Sequence, residues 1–319
     1  MLVSAPIWLS SAQTAARTPT SGESSPASTN VRPTASSTSG VPHISASPIE
    51  DTPQGNTRVT ELRIAAAKGL PDAEFALGRL YEGGVSVPRN YAQALSYFRA
   101  AAEHGHARAA NSAGLMYEAG RGAPRDLSAA AYWYTLSAER GDAGGQLNLG
   151  SLYFFGKGVH KDYATASRWL YKAAEQGQVV AQIALFDMYF LGKGVSKDVV
   201  RGLHWLRRAG DQGHPVAQVE LFKLYSQGEG VPLNYREAVT WARRAAQQGD
   251  HEGEASLGLM YEQGKGVRLD YVKAYRLYAR SAAGGNNNGT KRLQSLRQVM
   301  TPRQITEAMS APAADPASD

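Results

Sequence analysis

Residues 147–177 read LNLGSLYFFGKGVHKDYATASRWLYKAAEQG. Two apolar stripes run through this stretch at helical spacing, Leu149, Leu152 and Tyr153 in the first and Ala166, Trp169, Leu170 and Ala173 in the second. Between them Gly156 stands three residues after Tyr153, where a glycine takes positive φ without steric cost and ends a helix. Asp162 then offers a side-chain oxygen to the orphan amides of a second helix, and Gly177 closes it. The stretch is a helix-turn-helix carrying its own start and stop signals.

The same pattern recurs in both directions. Tyr81, Tyr117, Tyr153, Tyr189, Tyr225 and Tyr261 follow one another at intervals of 36, each with a glycine three residues on: Gly84, Gly120, Gly156, Gly192, Gly228 and Gly264. A second glycine follows in five units, and Ser86 replaces it in the first. Asn90, Asp126, Asp162, Asp198, Asn234 and Asp270 stand at the expected N-caps, and Gly105, Gly141, Gly177, Gly213, Gly249 and Gly285 at the expected stops. A hairpin this short cannot bury its own stripe, so neighbours must stack and share a core. The expected fold is all-α: a solenoid of six 36-residue helix-turn-helix units over residues 58–290. VTELRIAAAKG, residues 59–69, reads as a lone second helix closing the amino end. Residues 291–310 close the carboxyl end with two capping helices, Thr301, Pro302 and Gln304 forming a capping box before the last.

The flanks differ in kind. Residues 1–57 hold 34 Ser, Thr, Pro or Ala and five charges, too little apolar surface to offset ordering entropy, and read as a disordered leader. Its opening MLVSAPIWLSSAQTAARTP, with Ile7, Trp8 and Leu9 before small residues, is like the trailing half of a secretory signal, although no Lys or Arg precedes Arg17. That tips the expected location towards a bacterial cell envelope, periplasm or secretion, with the cytoplasm as alternative. Residues 311–319 read as a disordered tail. No run of 18 apolar residues occurs, so no membrane span is expected in the chain.

Chemistry is scarce. Without cysteine the chain has no disulfide, cysteine zinc site, iron–sulfur cluster or thiol nucleophile. The GKGV loops at Gly156, Gly192 and Gly264 sit between helices, whereas a phosphate cradle needs a strand before it. The seven histidines show no metal-ligand spacing. No Ser stands in a nucleophile elbow, and Glu252 and Glu254, two apart, face different ways on a helix. No catalytic residue, metal or cofactor is expected. A formal charge of +6, diluted over 319 residues, does not argue for nucleic acid.

The units resemble the Sel-one-like repeat (SLR) family, a relative of tetratricopeptide repeats, over about residues 59–290 in six copies. The resemblance implies a right-handed superhelical scaffold for protein–protein interaction, frequent in bacterial envelope and signalling proteins and usually without catalytic residues. A cysteine-rich bacterial branch is linked to β-lactam binding or hydrolysis, but its disulfide ladder is missing here. A helical-repeat RNA binder is the remaining rival. The expected partner is a protein or peptide.

Three features single out candidate residues. Trp133, Trp169, Trp205 and Trp241 recur at one position and read as core between hairpins. Lys172, Arg208, Arg244 and Arg280 form a potential basic strip. Glu175 and Asp211 lie three residues after the first two and neutralise them, which leaves Arg244 and Arg280 uncompensated as docking candidates for an acidic segment. Finally, where other units have Gly78, Gly114, Gly150 and Gly258, units four and five have Phe186 and Phe222, together with Gly202 and Gly210. The rings are either repacked into the core or project into a groove as anchors for a partner.

Overall fold

The computed structural model describes residues 53–310, and the leader and tail readings for residues 1–52 and 311–319 fall outside them. The described residues form fifteen α-helices and no strand. A lone helix, α1 (Pro53–Ala66), comes first. Each unit then supplies an A helix: α2 (Pro71–Gly83), α4 (Ala107–Ala119), α6 (Ala143–Phe155), α8 (Val179–Leu191), α10 (Pro215–Gln227) and α12 (His251–Gln263). The B helices are α3 (Tyr91–Glu103), α5 (Leu127–Glu139), α7 (Tyr163–Glu175), α9 (Val199–Asp211), α11 (Tyr235–Gln247) and α13 (Tyr271–Ala283). Two more follow, α14 (Asn287–Val299) and α15 (Pro302–Ser310).

Two boundaries differ from the sequence reading. Helix α1 begins at Pro53, inside the stretch assigned to the leader, and α14 begins at Asn287 rather than 291. Composition averaged over a long window hides the first of these, because a packed helix propagates into neutral sequence at one backbone bond per residue. The second follows from a cap: the Asn286 side chain accepts from the Gly289 amide at 2.9 Å.

The joint of each hairpin is built the same way six times. The A helix ends on a left-handed glycine, φ 64–71° at Gly84, Gly120, Gly156, Gly192, Gly228 and Gly264. The backbone N–H of the Asn or Asp cap donates to the carbonyl of the recurring tyrosine at 2.9–3.0 Å, from Asn90 to Tyr81 through Asp270 to Tyr261. The cap side chain then accepts from amides in the first turn of the B helix, as Asp198 does from Arg201 at 3.0 Å. The last cap is reciprocal as expected, with Thr301 N–H donating to Gln304 and Gln304 N–H donating to the Thr301 hydroxyl.

The chain divides inside α5, between Trp133 and Tyr134, into two compact units. In the first, α1 packs on α2, α2 on α3 and α3 on α4. In the second, every helix from α6 to α14 packs on the next along the chain, and α15 lies on α13, where Arg276 donates to the carbonyls of Glu307 and Ala308. One hydrophobic core runs through this second unit, with Leu170, Ile183, Leu206, Leu221, Leu257 and Leu277 fully enclosed. Each such leucine contributes about 1.5–3 kcal/mol relative to exposure.

Candidate functional site

Phe186 and Phe222 are 2% and 6% exposed and belong to the core, so the groove placement is corrected. At Gly78, Gly150 and Gly258 a Cβ would collide with Phe98, Leu170 and Tyr278 of the paired B helix. Where the A helix carries Phe222, the B-helix residue at that register is Ala242. Beside Phe186 the space comes from Gly202, whose Cβ would stand 3.4 Å from the ring. Volume passes from one helix to its partner and the core stays filled.

The basic strip is also corrected. Its acids neutralise the next unit's cation, not their own: Arg208 binds Glu175 at 3.2 Å and Arg244 binds Asp211 at 2.8 Å. Arg280 turns to Glu254 at 2.7 Å, a carboxylate 2% exposed that His251 also meets at 3.0 Å. Arg244 and Arg280 therefore carry no uncompensated charge. Lys172 is the member of the strip with no carboxylate partner among the described residues; its ammonium sits 4.2 Å over the Trp169 ring. Arg208 and Arg244 lie over Trp205 and Trp241 in the same manner, at 4.9 and 4.6 Å.

A buried polar ladder escaped the sequence reading. Gln182 and Gln218, on successive A helices, donate to the carbonyls of Ala174 and Gly210 at 3.1 and 2.9 Å. Their own oxygens accept from Gln212 and Gln248 at 2.8 Å, and Gln176 repeats the bond to Gln146. In the first unit the corresponding pair is Glu74 and His104, at 2.8 Å. The signal was present as glutamines recurring at the repeat interval, but polar residues count for nothing in an apolar stripe.

Around Lys172 the surface opens. In three places an arginine of one helix reaches the hydroxyl of the next recurring tyrosine: Arg63 to Tyr81 at 3.0 Å, Arg207 to Tyr225 at 2.6 Å and Arg243 to Tyr261 at 3.5 Å. At the equivalent position of α7 stands Tyr171. It is 47% exposed and meets Trp205 edge-on, centroids 5.5 Å apart. The Tyr189 hydroxyl has no hydrogen-bond partner among the described residues. A hollow of about 610 Å³ results, lined by Arg168, Trp169, Lys172, Tyr189 and Val195 together with Tyr171. A second of about 300 Å³ adjoins it through Tyr171 and Tyr189 and is lined further by Val200, Arg201 and His204. Trp133, Trp205 and Trp241 are buried as expected, whereas Trp169 is half-buried and lines the hollow.

Such a site can grip apolar side chains against rings and hold a negative group at Lys172. Its titratable side chains are Arg168, Tyr171, Lys172 and Tyr189, with Glu175, Arg201 and His204 in the adjoining hollow, where Glu175 is paired with Arg208 and Arg201 with Asp198.

The Sel1 repeat family model matches residues 71–106, 107–142, 143–178, 179–214, 215–250 and 251–286. Among solved structures, c5321 of Escherichia coli, a protective antigen present in uropathogenic strains and displaying an SLR fold, is 35% identical with a TM-score of 0.72. The match takes in 78% of this chain and 55% of that one, so the chain spans little more than half the length of the Escherichia coli protein. A Sel1 repeat protein from Oxalobacter formigenes is 28% identical with a TM-score of 0.60, over 75% of this chain and 98% of that one. No curated protein gives a significant match.

Proposed function

The chain belongs to the Sel1 repeat family, and from that premise we propose that it is a non-enzymatic scaffold that holds a partner polypeptide on the exposed faces of its helices. The observation carrying this reading is the open aromatic hollow on units three and four, a surface shaped for side chains. A family whose hairpins stack to bury their cores leaves the outward positions of the helices free to vary, and this is where Tyr171 departs from its counterparts.

Site-specific photocrosslinking tests the proposal. A photoreactive residue at Tyr171 is expected to capture a discrete polypeptide, saturably, while the same group at exposed Leu233 captures none. Absence of any saturable polypeptide adduct from Tyr171, Tyr132 and Val200 would remove the scaffold reading.

A further inference from the structure

We propose that the hollow at Tyr171 takes an extended acidic peptide segment, an apolar side chain entering between Trp169 and Tyr189 while a carboxylate beside it pairs with Lys172 and accepts from the Tyr189 hydroxyl. This rests on the scaffold reading and names the chemistry of its partner. Two departures from the repeat coincide here. Tyr171 stands where Arg63, Arg207 and Arg243 reach a tyrosine hydroxyl in three other places, so here both the space and the Tyr189 hydroxyl are left open. Lys172 is the strip's cation without a carboxylate, whereas Arg208, Arg244 and Arg280 each hold one. Glu139 holds the register from which Glu175 and Asp211 reach Arg208 and Arg244, yet it makes no ion pair with Lys172 among the described residues, which leaves the ammonium open to a partner's carboxylate.

Charge also selects against nucleic acid. Glu175 lines the adjoining hollow, and Asp198 stands beside Arg201, which it neutralises at 3.1 Å. A phosphate chain needs a continuous cationic track. Here the hollow presents two cationic side chains, Arg168 and Lys172, on a mostly apolar floor.

The full chain is titrated with four labelled probes: a synthetic peptide with a central Phe-Leu pair flanked by Asp and Glu, the same peptide with Lys at the acidic positions, the acidic peptide with Ser for Phe-Leu, and oligouridylate. The first is expected to bind at least ten-fold more tightly than the others. Lys172→Glu and Tyr171→Arg should each weaken it at least ten-fold with an unchanged melting temperature, the arginine restoring the contact that Arg207 makes. Arg244→Glu should leave binding as it is. Should Lys172→Glu melt early, Lys172→Gln carries the same expectation. Preference for the lysine peptide or the oligouridylate, binding of no probe, or full binding by Tyr171→Arg would overturn the proposal. Those outcomes leave the crosslinking test of the scaffold untouched.

Discussion

Nε2 of Gln212 donates to Oε1 of Gln182 at 2.8 Å, and Gln182, wholly enclosed, passes its own amide hydrogen to the carbonyl of Ala174. One side chain thus ties the B helix of its own unit to the end of the preceding one. Since the Ala174 carbonyl keeps the Gly177 amide at 3.0 Å, losing the Gln182 side chain removes two bonds without orphaning that carbonyl. Gln182→Leu should cost about 1–3 kcal/mol in urea unfolding, about 0.5–1.5 for each bond. Combining it with Gln212→Leu should be less than additive, because both changes delete the same bond; strict additivity would show the ladder to be decorative.

Phe222 fills core volume opposite Ala242. Phe222→Ala is expected to destabilise by about 3–5 kcal/mol, as for other enclosed rings. Peptide binding at Tyr171, measured below the lowered melting point, should be retained. A mild loss of stability with abolished binding would return the ring to the groove.

Ser86 is the one non-glycine residue with positive φ among the described residues, at 57°. Ser86→Gly relieves that conformation and should raise stability by up to about 1 kcal/mol, the gain trimmed by added freedom in the unfolded chain. The opposite change at Gly194, φ 72°, would drive a Cβ into the Tyr163 carbonyl of the preceding unit. Gly194→Ala should therefore lose at least about 2 kcal/mol. Equal melting curves for the two variants would contradict this account of the turn.

Burial pushes the His214 imidazole below its ordinary value, and its Nδ1 is enclosed without a hydrogen-bond partner among the described residues. The unfolded chain accordingly takes up the proton first. This contribution to stability is complete above the unfolded value of about 6.5 and is lost as pH falls below it. The drop in urea midpoint between about pH 7.5 and about pH 5.5 should be smaller in His214→Gln than in the parent. An identical drop would assign the pH response to other groups.

The repeat, its joints and its caps were legible because they depend on local rules: a glycine at positive φ, an oxygen before a first turn, an apolar stripe. Arg244 was misread because the i, i+3 rule describes one isolated helix, whereas in the stack Asp211 comes level with the cation of the next unit. The same difference hid the hollow. Tyr171 looks ordinary in its own helix and acquires meaning only beside Arg207 and Arg243, whose targets are tyrosines eighteen residues further on. Phe186 and Phe222 were visible as departures, but whether a ring turns inward depends on Gly202 and Ala242 across the packing, which linear spacing does not encode.

The main-chain clasp between each tyrosine carbonyl and the Asn or Asp amide belongs wholly to one hairpin. Every unit therefore arrives as a cassette with its hinge already fastened. Unequal crossing-over that duplicates or drops a cassette leaves the remaining hinges intact, so lineages can lengthen or shorten the array without reinventing its joints, and selection can work on outward letters such as Tyr171 one cassette at a time.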